Sequence, residues 1–234
     1  MLEVRDLEVC YGDYQVIWQV SLDVAEGEIV CVLGPNGAGK STVLNAISGL
    51  RAPKAGSIRF CGQTISGLVP PDIVRLRLSH IMERRRVFPY LTVRQNLWLG
   101  GYNPAARAAR AETLEQVYGL FPRLRERERQ LAHSLSGGEQ QMLALGRGLM
   151  SRPRLLLVDE PLLGLSPAVA EHTLGVLRRI NESGVAILFI EQNVQTALSL
   201  AHRGYVLESG RLVLHGTADE LLGSDDVKRI FLGG

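Results

Sequence analysis

The sequence lacks any apolar run close to the ~20 residues that a helix needs to cross a bilayer. Its first residues, 1–6, also lack the apolar core of a signal peptide. Net charge is small, because 26 basic residues stand against 24 acidic ones, and this balance does not indicate a general nucleic-acid surface. We therefore expect no nucleic-acid partner. For any membrane process, we expect another chain to supply the membrane part.

Cysteine is scarce. Cys10, Cys31 and Cys61 are an odd number without zinc-binding spacing, and each lies in an apolar, strand-like run. They predict buried free thiols of a reducing compartment. The sequence also lacks internal repeats and low-complexity tracts, so its 234 residues fit one large domain or two small lobes.

The most informative stretch is residues 34–42, which fit the pattern G-x-x-x-x-G-K-[ST] in full. An apolar run precedes it and an amphipathic stretch follows, as a phosphate-binding loop requires. Glycines let backbone N–H groups approach a polyphosphate, and the helix start adds partial positive charge. A functionless glycine-rich turn is the alternative, which the flanking strand and helix disfavour. The nucleotide-binding candidates are Gly34, Pro35, Asn36, Gly37, Ala38, Gly39, Lys40, Ser41 and Thr42.

Within this loop, two side chains have distinct expected roles. Lys40 would bind the β- and γ-phosphates of a nucleotide. The Ser41 hydroxyl would ligate Mg²⁺.

The order of the predicted elements favours an α/β fold. Alternating apolar residues near the N-terminus predict half-buried antiparallel strands, whereas the apolar runs 29–33, 155–158 and 186–190 predict buried parallel strands. Residues 93–150 predict only helices, one of them spanning 105–120. Pro70 and Pro71 open a helix that we expect to reach Leu78, and the C-terminal tail predicts one more short helix.

Two acids follow the apolar run 155–158. Asp159 and Glu160 would lie at the sheet edge where ligands of open α/β sheets bind. We expect Asp159 to help hold Mg²⁺, through water or through Ser41, and Glu160 to polarise the water that attacks the γ-phosphate. A pair of acids that only caps a loop is the alternative, which the phosphate-binding loop makes weaker.

Residues 135–141 predict a second anion site. Ser136 and Glu139 have the spacing of a capping box, so a helix begins here. Gly137 and Gly138 leave its N–H groups uncovered. Tyr11, which precedes a glycine in a turn, fits either packing or stacking on a purine.

Together these residues resemble the ATP-binding cassette (ABC) family over essentially the whole chain, and residues 135–141 are similar to the family signature. The resemblance implies a P-loop NTPase with a mostly parallel core sheet, an N-terminal antiparallel β lobe and an inserted helical subdomain. Residues 1–234 would form a single ATP-binding cassette. Its nucleotide-binding core would comprise 1–80 and 150–234, and its helical subdomain 81–149.

The resemblance also implies ATP and Mg²⁺ as cofactors, and a second ATP-binding subunit in a hetero- or homodimer. In such a head-to-tail pair, Ser136, Gly137, Gly138 and Glu139 would cap ATP on the other subunit, residues 162–167 would cross the interface, and Tyr11 would stack on adenine. Transmembrane permease subunits and, indirectly, a substrate-binding protein are further implied partners. The implied location is the cytoplasmic face of the bacterial inner membrane.

Two departures narrow the resemblance. Glu83 stands where the family usually has glutamine, and Gln192 where it usually has a γ-phosphate-sensing histidine. Glu83 can ligate Mg²⁺ but cannot donate a hydrogen bond, whereas Gln192 can donate its amide N–H but does not titrate. With the residues around them, they resemble the second ATPase subunit of bacterial high-affinity branched-chain amino acid importers. That group usually has glycine at Arg84, so we expect a stiffer loop here.

Two alternatives stay open. One keeps the role but changes the cargo to urea, short amides or other amino acids, since the cassette does not touch cargo. The other is a soluble ABC ATPase of translation or DNA repair, which the single cassette and the lack of heptads disfavour. For a transporter, we expect the membrane subunits to dock near residues 83–91, where Phe88, Tyr90 and Leu91 offer apolar anchors.

Overall fold

The computed structural model describes residues 1–232 of the chain. Its strands, in chain order, are β1 (Leu2–Tyr11), β2 (Tyr14–Val24), β3 (Ile29–Leu33), β4 (Ala55–Phe60), β5 (Gln63–Thr64), β6 (Leu78–Ile81), β7 (Leu155–Asp159), β8 (Ala186–Glu191), β9 (Arg203–Glu208) and β10 (Arg211–Thr217). Its α-helices are α1 (Lys40–Ile47), α2 (Pro70–Arg75), α3 (Val93–Gly100), α4 (Pro104–Ala108), α5 (Arg110–Leu120), α6 (Pro122–Glu126), α7 (Gly137–Leu149), α8 (Pro167–Glu182), α9 (Val194–Leu198), α10 (Ala218–Gly223) and α11 (Asp225–Leu232).

An antiparallel sheet with the order β2-β1-β4-β5 forms the N-terminal lobe. Leu2 pairs with Val24 and Val4 with Leu22, so apolar side chains of both strands point to one face. That face is buried while the intervening residues contact solvent, as the alternating sequence predicts. The antiparallel lobe expected from the sequence is confirmed.

The second sheet has the order β10-β9-β3-β8-β7-β6. All its neighbouring strands run parallel except β10, which pairs antiparallel with β9. Every residue of β3, β7 and β8 is buried, because helices cover one face of the sheet and the antiparallel lobe together with α1 covers the other. The carboxyl ends of β3, β7 and β8 are neighbours, which brings the segments that follow these strands to one edge.

Between β6 and β7 the chain forms helices α3–α7, which pack around α7. Helices α3 and α7 approach each other closely, since a Cβ added to Gly100 would lie 2.0 Å from the Arg147 carbonyl oxygen. Only glycine allows this contact. Among the described residues, no helix is long and apolar enough to cross a membrane.

Several local predictions are wrong. Leu78 begins strand β6, paired with Leu155, instead of ending a helix, because α2 stops at Arg75. The helix predicted over 105–120 is divided at Ala109, and Asn103 caps its first part by accepting from the Ala106 N–H. The tail contains two helices, α10 and α11.

The prediction of three buried thiols is correct only for Cys31, whose burial raises its pKa to about 12. Cys10 is half-buried, and Cys61 is exposed in the turn after β4. Apolar neighbours in the sequence did not bury Cys61, because the tight turn between β4 and β5 points it outward.

Candidate nucleotide-binding site

The loop between β3 and α1 is shaped by glycine. Gly39 caps α1 with a left-handed φ of 102°, and a Cβ there would lie 2.6 Å from Ile17 Cδ1. A Cβ on Gly34 would lie 2.3 Å from the Leu207 carbonyl oxygen. The loop therefore packs directly on neighbouring strands and keeps its backbone open to the other side. The turn after β9 supports it, since the Gly210 N–H donates to the Ala38 carbonyl at 2.9 Å.

A cavity of about 270 Å³ lies over this loop. Most of the predicted phosphate-binding residues line it together with two predicted acids, and the lining is Val16, Asn36, Gly37, Gly39, Lys40, Ser41, Thr42, Glu83 and Glu160. The structure thus brings the phosphate-binding loop and the acids to one place.

Lys40 is buried, and its ammonium is held inside the loop. Nζ donates to the carbonyl oxygens of Gly34 at 2.7 Å and Pro35 at 3.1 Å, and lies 3.9 Å from Glu160 Oε1. Burial lowers the pKa of Lys40, while the nearby carboxylates act in the opposite direction. An anion in the cavity would give this ammonium the strong partner that two carbonyls do not.

Ser41 and Asp159 are joined across the sheet edge, because the Ser41 hydroxyl donates to Asp159 Oδ1 at 3.3 Å. Burial raises the pKa of Asp159 to about 6, with Glu160 and Glu83 adding repulsion and the Ser41 hydrogen bond opposing. Two oxygen donors side by side, one of them ionisable, suit a hard cation.

Glu160 follows β7 and Gln192 follows β8, so neighbouring parallel strands deliver them together. Gln192 Nε2 donates to Glu160 Oε1 at 2.7 Å. Glu160 has a left-handed φ of 47°, a conformation that costs a non-glycine residue about 1–3 kcal/mol. Such strain at the edge of a cavity is typical of a positioned functional group.

Glu191, the last residue of β8, is a buried carboxylate that the sequence interpretation missed. Its Oε1 accepts the Leu162 N–H at 3.0 Å, and its Oε2 accepts the Gln192 N–H at 3.2 Å. Burial raises its pKa. Glu191 thus ties the start of the 162–167 loop to the residue that contacts Glu160. The sequence did contain a sign of this residue, because Glu191 directly follows the apolar run 186–190, just as Asp159 follows the run 155–158.

Glu83 lines the cavity, and its side chain pairs with Arg84 at 3.3 Å. Arg84, Arg85 and Arg86 have positive φ values of 62°, 65° and 43°. Glycine adopts this backbone without strain, so Arg84 strains the loop at the position where the resembled group has glycine.

The predicted capping box is present at the start of α7. Ser136 Oγ accepts from the Glu139 N–H, and Glu139 Oε2 accepts from the Ser136 N–H. These residues lie outside the cavity over the phosphate-binding loop. The Arg85 guanidinium covers Gly137, where a Cβ would lie 2.8 Å from Nη1. No sequence spacing could predict that contact.

Tyr11 also lies outside that cavity. The Arg51 guanidinium lies 4.3 Å from the centroid of its ring and is held there by the Cys10 carbonyl. One ring contact is therefore already made by arginine, and the ring remains partly exposed.

A larger groove of about 590 Å³ lies between the core and the helices. It includes the predicted anchor Phe88, but neither Tyr90 nor Leu91 lines it. Its other apolar contributors are Leu50, Pro70, Ile73, Val74, Leu78, Ile81, Met82, Leu99, Tyr102 and Ala144.

Comparisons with known proteins agree with this geometry. The sequence model of the ABC transporter family matches residues 17–163. The chain is 44% identical to the high-affinity branched-chain amino acid transport ATP-binding protein BraG of Pseudomonas aeruginosa, with 100% of both chains covered. It is 34% identical to the probable branched-chain amino acid transport ATP-binding protein LivF of Archaeoglobus fulgidus, with 100% of this chain and 99% of that protein covered.

A solved structure has the same fold. It is a crystal structure of the ADP conformation of an ATP-binding cassette from an ABC transporter, with a TM-score of 0.89. The two chains are 23% identical, and the match covers 100% of this chain and 99% of the other. The α/β fold predicted from the sequence is confirmed.

Proposed function

The chain belongs to the ABC transporter family, and from this premise we propose that it is the ATP-hydrolysing subunit of a membrane importer of branched-chain amino acids. The observation that carries the proposal is the 44% identity to BraG over the full length of both chains. As a member of this family, the chain is an ABC ATPase that binds ATP and ADP.

Residues of the phosphate-binding loop and of the adjoining sheet edge would bind ATP and assist its hydrolysis. The loop's N–H groups and Lys40 would hold the β- and γ-phosphates, with Lys40 exchanging two carbonyl partners for phosphate oxygens. Glu160 would accept a proton from the attacking water. Gln192, already 2.7 Å from Glu160, would hold that carboxylate in place and offer its amide to the γ-phosphate.

The donor set fits Mg²⁺. Ser41, Asp159 and Glu83 provide only oxygen ligands, which this cation prefers. Among the described residues, no group of three or more His, Cys, Asp or Glu side chains could hold a metal ion, so phosphate oxygens and water would complete the coordination. When bound, the ion would neutralise part of the phosphate charge. Because the pKa of Asp159 is raised, a protonated Asp159 carboxyl would have to lose its proton before it could bind the ion.

We propose that the complete site is shared between two ATP-binding subunits, alike or different. Ser136, Gly137, Gly138 and Glu139 do not line the cavity over this chain's own phosphate-binding loop. In a head-to-tail pair they would instead face the nucleotide of the other subunit, and Tyr11 would stack on this chain's own adenine. Glu191 would connect the two halves, because it holds the Leu162 N–H at the start of the interface loop.

The groove beside Phe88 is the proposed docking site for transmembrane permease subunits. It is large and mostly apolar, and it shares no lining residue with the cavity over the phosphate-binding loop. Docking there would place the chain at the cytoplasmic face of the bacterial inner membrane. A substrate-binding protein would then act on it only indirectly.

Two variants test the catalytic assignment in the assembled transporter. Glu160→Gln should bind ATP with unchanged affinity but hydrolyse it about 10²–10⁴-fold more slowly, because a general base is lost. Gln192→Ala should lower turnover while Gln192→His restores it, and the exposed Gln195→Ala serves as the matched control. Normal turnover of Glu160→Gln would remove Glu160 from the base role.

The docking site and the cargo need a separate experiment. In a Cys61→Ser background, Phe88→Cys should cross-link to a co-expressed permease subunit. The unsubstituted chain is the control, because its Cys61 is exposed in the antiparallel lobe and should not cross-link. Deletion of the gene should abolish uptake of labelled leucine, isoleucine and valine. Loss of urea uptake instead would overturn the cargo but leave the ATPase assignment standing.

A further inference from the structure

Basic residues are distributed unevenly along this nearly neutral chain. Residues 84–111 contain six arginines and neither Asp nor Glu. Since the whole chain has 26 basic and 24 acidic residues, the remainder carries an excess of acids. Residues 84–111 therefore carry a local positive charge that the small net charge of the whole chain does not reveal.

Three of these arginines converge on one concave surface, which we call the arginine–tryptophan trough. It has a volume of about 600 Å³ and is lined by Leu91, Arg94, Gln95, Trp98, Leu99, Tyr102, Arg107 and Arg110. No carboxylate is among these residues. Its floor is apolar, and its aromatic side chains are well exposed, Trp98 at 42% and Tyr102 at 45%.

Within the described part of the chain, the arginines of the trough lack anionic partners. Arg94 and Arg110 lie 5.2 Å and 5.3 Å from the Trp98 ring centroid, and none of Arg94, Arg107 and Arg110 pairs with a carboxylate of the described residues. Among the residues that the structure describes, Arg107 and Arg110 donate only to backbone carbonyls, and Arg110 Nε is buried without a hydrogen-bond partner. Elsewhere, many arginines of this chain pair with acids, as Arg75, Arg125 and Arg203 do.

The trough adjoins the groove proposed for the permease. Leu99 and Tyr102 line both concavities, so the two surfaces are continuous. Tyr90, which is 84% exposed, lies next to Leu91 of the trough in sequence. If the permease docks in the groove, the trough faces the same side of the molecule, which is the side toward the membrane; this orientation rests on the proposed function.

We propose that the arginine–tryptophan trough binds the anionic headgroups of the membrane surface. Arginines form bidentate hydrogen bonds with phosphate, and Trp and Tyr place an apolar ring and a polar tip at the level of headgroups. Several unpaired guanidinium groups are spread over α3, α4 and α5. A membrane surface presents a phosphate to each of them, whereas a single acidic side chain of a protein partner would pair with only one. A nucleic acid fits poorly, because arginines already stack on the one tryptophan that could receive a base.

The experiment uses the full chain and vesicles of phosphatidylglycerol and phosphatidylethanolamine, with pure phosphatidylcholine vesicles for comparison. Sedimentation should show binding to the anionic vesicles alone, weakened by salt. Each arginine near an anionic surface accounts for roughly fivefold in partitioning. The Arg94→Gln/Arg107→Gln double variant should therefore bind roughly tenfold to thirtyfold more weakly. The matched double variant Arg178→Gln/Arg211→Gln, which alters exposed arginines elsewhere, should bind like the wild type.

The two tryptophans of the chain give a second readout. With Trp18→Phe, the remaining Trp98 should shift its emission to shorter wavelength on anionic vesicles. With Trp98→Phe, the remaining Trp18, which also lies beside an arginine, should not shift. An unshifted Trp98, or equal binding to neutral vesicles, would overturn the proposal.

Two further measurements separate this proposal from the proposed function. Arg94→Gln/Arg107→Gln should still bind a fluorescent ATP analogue and co-purify with permease subunits. If the variant loses the permease but binds vesicles normally, the trough is a protein interface and the lipid proposal is wrong. If the wild type binds anionic vesicles through Trp98 but co-purifies with no permease, the lipid surface stands and the transporter assignment fails.

Discussion

Among single residues, Lys40 offers the most direct test of the phosphate-binding loop. Its Nζ donates to two loop carbonyls and lies 3.9 Å from Glu160 Oε1. A phosphate would replace the carbonyls with a charged acceptor worth about 1.5–3 kcal/mol. Lys40→Ala should therefore weaken ATP binding roughly tenfold to a hundredfold. Titration with a fluorescent ATP analogue measures this. Lys54→Ala, at an exposed lysine that contacts Gln15, is the control, and equal affinities of the two variants would refute the assignment.

Residues also differ in how far their roles could be read from the sequence. Lys40, Ser41, Asp159 and Glu160 stand in local patterns, and the structure gathers them where the patterns predicted. Glu191 gains its contacts from Leu162, 29 positions away, so spacing along the chain carries no record of its contact. Contacts between distant residues that belong to no sequence motif, such as that of Glu191 with Leu162, could not be predicted.

At the scale of elements, the capping box of α7 has a structural effect and a proposed effect on ATP hydrolysis. A second capping box in the chain allows the two effects to be measured separately. Thr217 and Glu220 form the same arrangement at α10. Ser136→Ala and Thr217→Ala should each lower the free energy of unfolding by about 0.5–2 kcal/mol, because each removes an N-cap. Only Ser136→Ala should also reduce the ATPase activity of the assembled complex. Urea unfolding and turnover measure the two effects, and equal turnover of both variants would contradict the proposed role of Ser136.

The packing of α3 on α7 leads to another pair of variants. A Cβ on Gly100 would lie 2.0 Å from the Arg147 carbonyl oxygen, whereas a Cβ on Gly119 in α5 would meet nothing within 4 Å. Gly100→Ala should therefore destabilise the chain by about 1–3 kcal/mol through overpacking. Gly119→Ala should stabilise it by about 0.5–1 kcal/mol through helix propensity. Thermal unfolding distinguishes them, and shifts of the same sign would show that the α3–α7 contact is looser than described.

The elements that were predicted correctly are those whose sequences contain a long or strongly apolar run. Strands β3, β7 and β8 are continuous apolar runs buried on both faces. The start of strand β6 was missed because the strand is short and carries Ser79 and His80 inside it, so its conformation depends on pairing with β7. The break between α4 and α5 was missed for a similar reason, since no proline or glycine marks Ala109 in the sequence.

At the scale of the whole molecule, the docking groove combines apolar walls with a polar atom left unpaired at its base. His80 on β6 lies 2.9 Å from Ser48 Oγ through its Nδ1, which joins the sheet to the end of α1. Its Nε2 is shielded from solvent and has no hydrogen-bond partner in residues 1–232. Burial lowers the pKa of His80 to about 4, so the folded chain holds a neutral imidazole at physiological pH.

That lowered pKa makes His80 one contributor to the pH dependence of stability of the free chain. Between the unfolded pKa of 6.5 and the folded value of about 4, only the unfolded chain takes up a proton at this position. The contribution of His80 is thus fully present above pH 6.5, and stability falls as the pH decreases, by up to about 3 kcal/mol at pH 4. Urea unfolding from pH 7 to pH 4 should show a shallower decline for His80→Asn, which keeps an acceptor for Ser48. His172→Asn, at an exposed histidine on α8, should decline like the wild type. If the stability of His80→Asn declines as steeply as that of the control, the half-buried imidazole does not contribute to acid sensitivity.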